Sequence, residues 1–117
     1  MTVLNLAEQT PFVTKDGSEI RSILDRTNAP VKQQSLAEAT VHAGGGTQRH
    51  CHRMSEEFYF ILAGRGRMDI DGETREVGPG DAILIPAGAW HTILAEERLR
   101  FLCCCAPPYG HEDTYFE

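Results

Sequence analysis

Apolar residues along this chain come in short runs, each cut off by glycine, proline or an Asp-Gly pair. That texture predicts many short strands closed by tight turns, as in an all-β sandwich or barrel. Nowhere do apolar side chains recur at a 3.6-residue spacing for long enough to predict a helix. Asp16-Gly17 divides Phe12-Val13-Thr14 from Glu19–Leu24, which reads as a first hairpin. Pro30 opens a further run through Gln33 and Gln34. Glu38–His42 reads as another strand before Gly44-Gly45-Gly46 breaks the chain.

The middle of the chain is the most sharply patterned. Phe58–Leu62 is unbroken apolar and aromatic sequence, the mark of a strand buried on both faces. Gly64 and Gly66 follow, where a bend or bulge is expected. Met68-Asp69-Ile70 and Thr74–Val77 flank Asp71-Gly72, a strong hairpin signal. Pro79-Gly80-Asp81 is a turn, Ala82–Ile85 a strand, and Pro86-Ala87-Gly88 its stop. Ile93-Leu94 and Leu99–Cys105 complete the set before Pro107-Pro108, where pairing should end. The pattern amounts to about ten short strands and a two-layer barrel.

Composition narrows the classes. A chain of 117 residues is one ordinary domain, 1–117. Its 41% hydrophobic and 24% charged residues argue against global disorder. Seventeen acidic against eleven basic residues give a net charge of −6. That balance disfavours nucleic acid or an anionic membrane surface as the main partner. No run approaches the ~18 apolar residues of a membrane span. Met1–Phe12 lacks the basic start and apolar run of a signal peptide, so a cytoplasmic location is expected. The four cysteines fit that compartment: Cys103, Cys104 and Cys105 are consecutive and cannot form an ordinary disulfide framework.

Candidate chemistry begins at His50 and His52. On a strand, that spacing puts both imidazoles on one face and Cys51 on the other. Glu57 has the wrong parity to join them on a single straight strand, so Arg53-Met54-Ser55-Glu56 should form a turn or bulge. Glu56 competes for the role. Glu57 is preferred because Tyr59 and Ile61 share its parity, which continues its face into the barrel.

Gly44, His50-Cys51-His52, Glu57 and Gly64 stand at the spacing of the first cupin motif. Gly80, Pro86-Ala87-Gly88 and His91 match the second. The chain resembles a small single-domain cupin. It departs from the pattern at Ala95, where the second motif often carries an asparagine that is not a ligand; local loop geometry is what this puts in question. The resemblance implies a double-stranded β-helix, or jelly-roll, barrel with N-terminal strands and a metal-binding core at about 40–105. It implies one divalent transition metal held by His50, His52, Glu57 and His91. Such a nitrogen-and-oxygen donor set suits Fe, Mn, Ni, Co, Cu or Zn. A closed structural zinc site is the alternative, although such sites favour cysteine and no cysteine stands at a ligand position of the motifs.

Neighbouring residues carry open alternatives. Gln48 shares the parity of the histidines and either points into the cavity or is a strand-edge amide in solvent. Tyr59 is a packed aromatic or a proton source. Phe101, Cys103 and Cys105 share a parity that would line the apolar part of the barrel and touch substrate; as core residues such cysteines need no further role. Trp90 should face away from the metal. His111, Glu112 and Asp113 read as a solvated tail, and Arg65, Arg67, Asp69 and Asp71 as a solvated hairpin face. Two functions follow. One is a metal-dependent enzyme acting on a small carboxylate, enol or diol, such as a dioxygenase, isomerase, lyase or decarboxylase. The other is a ligand-binding sensor barrel without turnover. The family's habit of pairing through its outer sheet implies a homodimer, with Phe58, Phe60 and Leu62 as its apolar face.

Overall fold

A computed structural model describes residues 1–117, and it is almost entirely β. The strands are β1 (Phe12–Val13), β2 (Glu19–Leu24), β3 (Ser35–Val41), β4 (His50–His52), β5 (Glu56–Ala63) and β6 (Gly66–Ile70). They continue as β7 (Glu73–Val77), β8 (Ala82–Ile85), β9 (His91–Ala95), β10 (Leu99–Ala106) and β11 (Thr114–Phe116). Two antiparallel sheets form the jelly-roll, ordered β1-β2-β3-β10-β5-β8 and β11-β4-β9-β6-β7.

The hairpin at Asp71-Gly72 forms as its sequence dictates. Asp71 has φ +50° and Gly72 φ +89°, the left-handed pair that matches the twist of the joined strands. β6 and β7 then pair in register from Ile70↔Glu73 to Gly66↔Val77. Gly64 is required for a different reason. Its φ is +86°, and a Cβ there would lie 2.1 Å from the carbonyl oxygen of Arg98.

The core lies between the sheets. Tyr59, Ile61, Met68, Ile85, Ile93, Leu99 and Phe101 are all buried in one cluster. Burying each such side chain contributes about 1.5–3 kcal/mol.

Three strand expectations change. Phe58–Leu62 is buried on one face only: Glu57, Tyr59 and Ile61 point inward, whereas Phe58 is 51% and Phe60 43% exposed. An apolar outer face reads in sequence like two-sided burial, and the alternation is visible only once the layers are assembled. The run from Pro30 to Gln34 forms no strand, and β3 starts at Ser35. Pairing also resumes beyond Pro107-Pro108, because β11 returns to pair antiparallel with β4. No helix is long and apolar enough to cross a membrane.

Candidate metal centre

β4 and β9 meet at His50↔His91, directly opposite across an antiparallel pair, with ring centroids 4.2 Å apart. The two-residue period of β4 brings His52 to the same face. Potential ligand nitrogens of His50, His52 and His91 all lie within 4.8 Å of one another, so these three residues can hold a metal.

Each imidazole is oriented through its other nitrogen. Nδ1 donates to a backbone carbonyl in every case: His50 to Gln48 at 2.7 Å, His52 to Asp113 at 3.2 Å and His91 to Ala89 at 3.0 Å. That arrangement turns the lone pair of each Nε2 toward the common centre, the usual device for fixing a ligating histidine.

β5 supplies the carboxylate. Glu56 points outward and is exposed, while Glu57 points inward and is buried. Glu57 Oε1 lies 3.5 Å from Nε2 of both His52 and His91. Two donors bonded to one ion at about 2.1 Å stand roughly 3.0–3.4 Å apart, so these separations fit with little adjustment. Glu57 Oε1 and His91 Nε2 are buried yet make no hydrogen bond. Buried polar atoms are costly without a partner, and a cation at the centre would satisfy both.

Burial pushes the Glu57 pKa up, but its contacts with His52 and His91 outweigh this and hold it at about 2. Burial, reinforced by His91, lowers the pKa of His50. Burial works the same way on His52, but Glu57 outweighs it and raises the pKa. Without a metal, Glu57 therefore favours a proton on His52; a metal bound there would take that proton's place between the carboxylate and the imidazole.

The centre opens into a cavity of about 480 Å³. Tyr59, Phe101, Cys103 and Cys105 lie on its wall. The Tyr59 ring packs 4.5 Å from that of Phe101, and burial with the nearby Glu57 charge keeps its phenol protonated. Gln48 lies elsewhere. Its side chain is exposed and off the wall, because residues 47–49 are irregular and strand parity starts only at His50. Its carbonyl, not its amide, serves the site by holding His50.

Several contributors lay outside the motifs. Asp113 is part of the support, not a solvated tail residue. Its carboxylate accepts hydrogen bonds from the backbone N–H groups of Arg53, Met54 and Ser55. Asp16, in the turn between β1 and β2, brings Oδ2 to 3.6 Å from His50 Nε2. Cys105 donates from Sγ to Glu57 Oε2. The hairpin face is also less free than its charges imply, since Arg49 pairs with Asp69 at 2.9 Å and Asp71 exchanges backbone and side-chain hydrogen bonds with Trp90.

Comparison with known proteins gives a consistent picture. The family model described as "Cupin domain" matches residues 37–105. The uncharacterized protein MJ1618 of Methanocaldococcus jannaschii is 49% identical over 106 residues, covering 89% of this chain and 85% of that protein. Dimethylsulfoniopropionate lyase DddW of Ruegeria pomeroyi is 34% identical over 98 residues, covering 83% of this chain and 60% of the lyase. Among solved structures, the polyketide cyclase RemF of Streptomyces resistomycificus superposes with a TM-score of 0.78 at 26% identity, covering 97% of this chain and 89% of RemF.

Proposed function

The chain belongs to the cupin family, and from that membership we propose that it is a metal-dependent enzyme acting on a small oxygenated substrate. His50, His52, Glu57 and His91 would hold one divalent transition metal, and the substrate would enter from the cavity beside it. The observation that carries this reading is the pair of buried, partnerless atoms, Glu57 Oε1 and His91 Nε2, at the convergence of three oriented imidazoles. Bound there, the metal supplies Lewis-acid polarisation of a carbonyl or hydroxyl group.

The chain's own residues would do the rest. Phe101 and Cys103 give the substrate an apolar wall and limit water. Tyr59, kept protonated by burial, would offer the substrate a hydrogen bond from that wall. Relatives named as a lyase and as a polyketide cyclase support chemistry of small oxygen-bearing molecules. Fold alone does not select among lyase, isomerase, decarboxylase and dioxygenase reactions. The reading includes a cytoplasmic setting, supported by four free cysteines. It also includes a homodimer through the outer sheet face of Phe58, Phe60 and the half-buried Leu62, a face that the exposed Leu84 extends.

Elemental analysis of protein purified without chelator tests the centre, paired with turnover assays across keto acids, diketones, diols and uronates, with and without oxygen. About one transition metal per chain, lost in His91→Ala and Glu57→Gln, is expected. Protein that neither retains nor takes up a metal stoichiometrically sinks the reading. A ligand bound tightly but recovered unchanged would favour the sensor alternative.

A further inference from the structure

Asp16 comes from a turn far along the chain from the histidines, yet it lines the same cavity. Its two carboxylate oxygens are treated unequally. Oδ1 accepts three hydrogen bonds, from Thr14 Oγ1 at 2.5 Å, Ser18 Oγ at 2.6 Å and the Ser18 N–H at 2.9 Å. The turn is tied down further, since the Gln48 N–H donates to the Asp16 carbonyl at 2.8 Å. Oδ2 faces Nε2 of His50 at 3.6 Å. With His50 donating through Nδ1, that Nε2 presents a lone pair, so no hydrogen bond joins the two atoms. One carboxylate oxygen is therefore held rigidly beside the metal centre, on the cavity side, with acceptor capacity to spare.

The geometry points to Asp16 as a specificity-determining residue whose Oδ2 accepts a hydrogen bond from a hydroxyl group of the substrate at the metal. The site would then select hydroxy compounds (α-hydroxy acids, hydroxyketones, enols or diols) over fully deprotonated dianions. This rests on the metal-dependent reading above and narrows its substrate class. An O–H donated to a carboxylate is a charge-assisted bond, whereas a dianion sets further lone pairs against Asp16 and Glu57. The wall charge points the same way. Asp16, Asp25, Glu57 and Glu112 face only Lys15 and Arg26, so a divalent ion leaves no net positive charge to attract a dianion.

Cobalt(II)-loaded protein titrated with glycolate and with oxalate tests the inference, read from the cobalt absorption bands. Both ligands close the same five-membered chelate ring, but only glycolate keeps a proton on a chelating oxygen. In Asp16→Asn the donors from Thr14 and Ser18 fix the amide oxygen at the Oδ1 position, which puts the NH₂ where Oδ2 stood and turns an acceptor into a donor. The variant should still take up one cobalt per chain at saturating metal, with a somewhat lower affinity because one attracting charge is gone. It should bind glycolate about tenfold more weakly, the loss of one hydrogen bond to a charged group. It should bind oxalate about tenfold more tightly, because a repelling charge is gone. Equal shifts for both ligands, or none, overturn the inference. So does a variant that takes up no cobalt even at saturating metal, which would make Asp16 a ligand. A wild type that takes up no cobalt overturns the metal reading, and this inference with it.

Discussion

The thiol of Cys105 donates to Oε2 of Glu57 at 3.3 Å, across an in-register pair of β10 and β5. Burial, with the Glu57 charge beside it, pushes the Cys105 pKa up and keeps the sulfur protonated as a donor. Oε2 is thereby fixed, and Oε1 is left to face His52 and His91. Removing the donor should loosen the carboxylate. Cys105→Ala is expected to lower metal affinity about tenfold, the low end for loss of a bond behind a ligand. Cys105→Ser should recover most of that loss. Competition against a chromophoric chelator measures both, and an alanine variant with wild-type affinity shows the contact to be idle.

Asp113 joins two parts of the site. Its carboxylate gathers the N–H groups of the turn after β4, and its carbonyl orients His52. Asp113→Ala leaves those mostly exposed donors to water and should cost about 0.5–1.5 kcal/mol in urea unfolding of the metal-free protein. Asp113→Asn keeps one acceptor oxygen and should fall between. An alanine variant as stable as wild type would mean that water satisfies the turn equally well.

The candidate metal site was legible because its residues obey local rules. His50 and His52 sit two apart on a strand, glycine and proline mark the bends, and Glu57 shares parity with Tyr59. What was illegible is non-local. Cys105 reaches Glu57 through sheet register, 48 residues along the chain, and Asp113 reaches Met54 across 59. Asp16 faces His50 only because the first hairpin, paired onto β3, brings its turn to the cavity wall. Gln48 stayed open between cavity and solvent for the complementary reason: strand parity does not extend past the start of β4, and its side chain is exposed.

The outer row of Leu84, Phe58 and Cys104 runs across three paired strands, with Phe60 beside it. Phe58, Phe60 and Leu84 are all exposed, so a charge there meets water in a monomer but is buried in a dimer. Sedimentation should give a dimer for the wild type and a monomer for Phe58→Glu, with the variant's fold unchanged by circular dichroism. A monomeric wild type at micromolar concentration removes the dimer from the proposal.

Acid should destabilise the metal-free protein in a window set by Glu57. Its folded pKa is about 2, against 4.5 for an unperturbed glutamate. Between those values the unfolded chain binds more protons than the folded one, so stability rises with pH. The contribution is fully present above 4.5 and is lost as pH falls toward 2. Its size is at most about 3 kcal/mol, since a tenfold change in proton affinity is worth about 1.4 kcal/mol. His52 has a raised pKa and acts in the opposite sense, stabilising at low pH and losing that contribution as pH climbs through its folded value. His50, with a lowered pKa, opposes it in the same region, so the region near 6.5 is partly cancelled. The acid limb is where Glu57 stands alone among these three. Urea unfolding between pH 5 and the acid limit should therefore show a positive slope in the wild type that flattens in Glu57→Gln. Parallel slopes in the two proteins would place the acid sensitivity in other carboxylates.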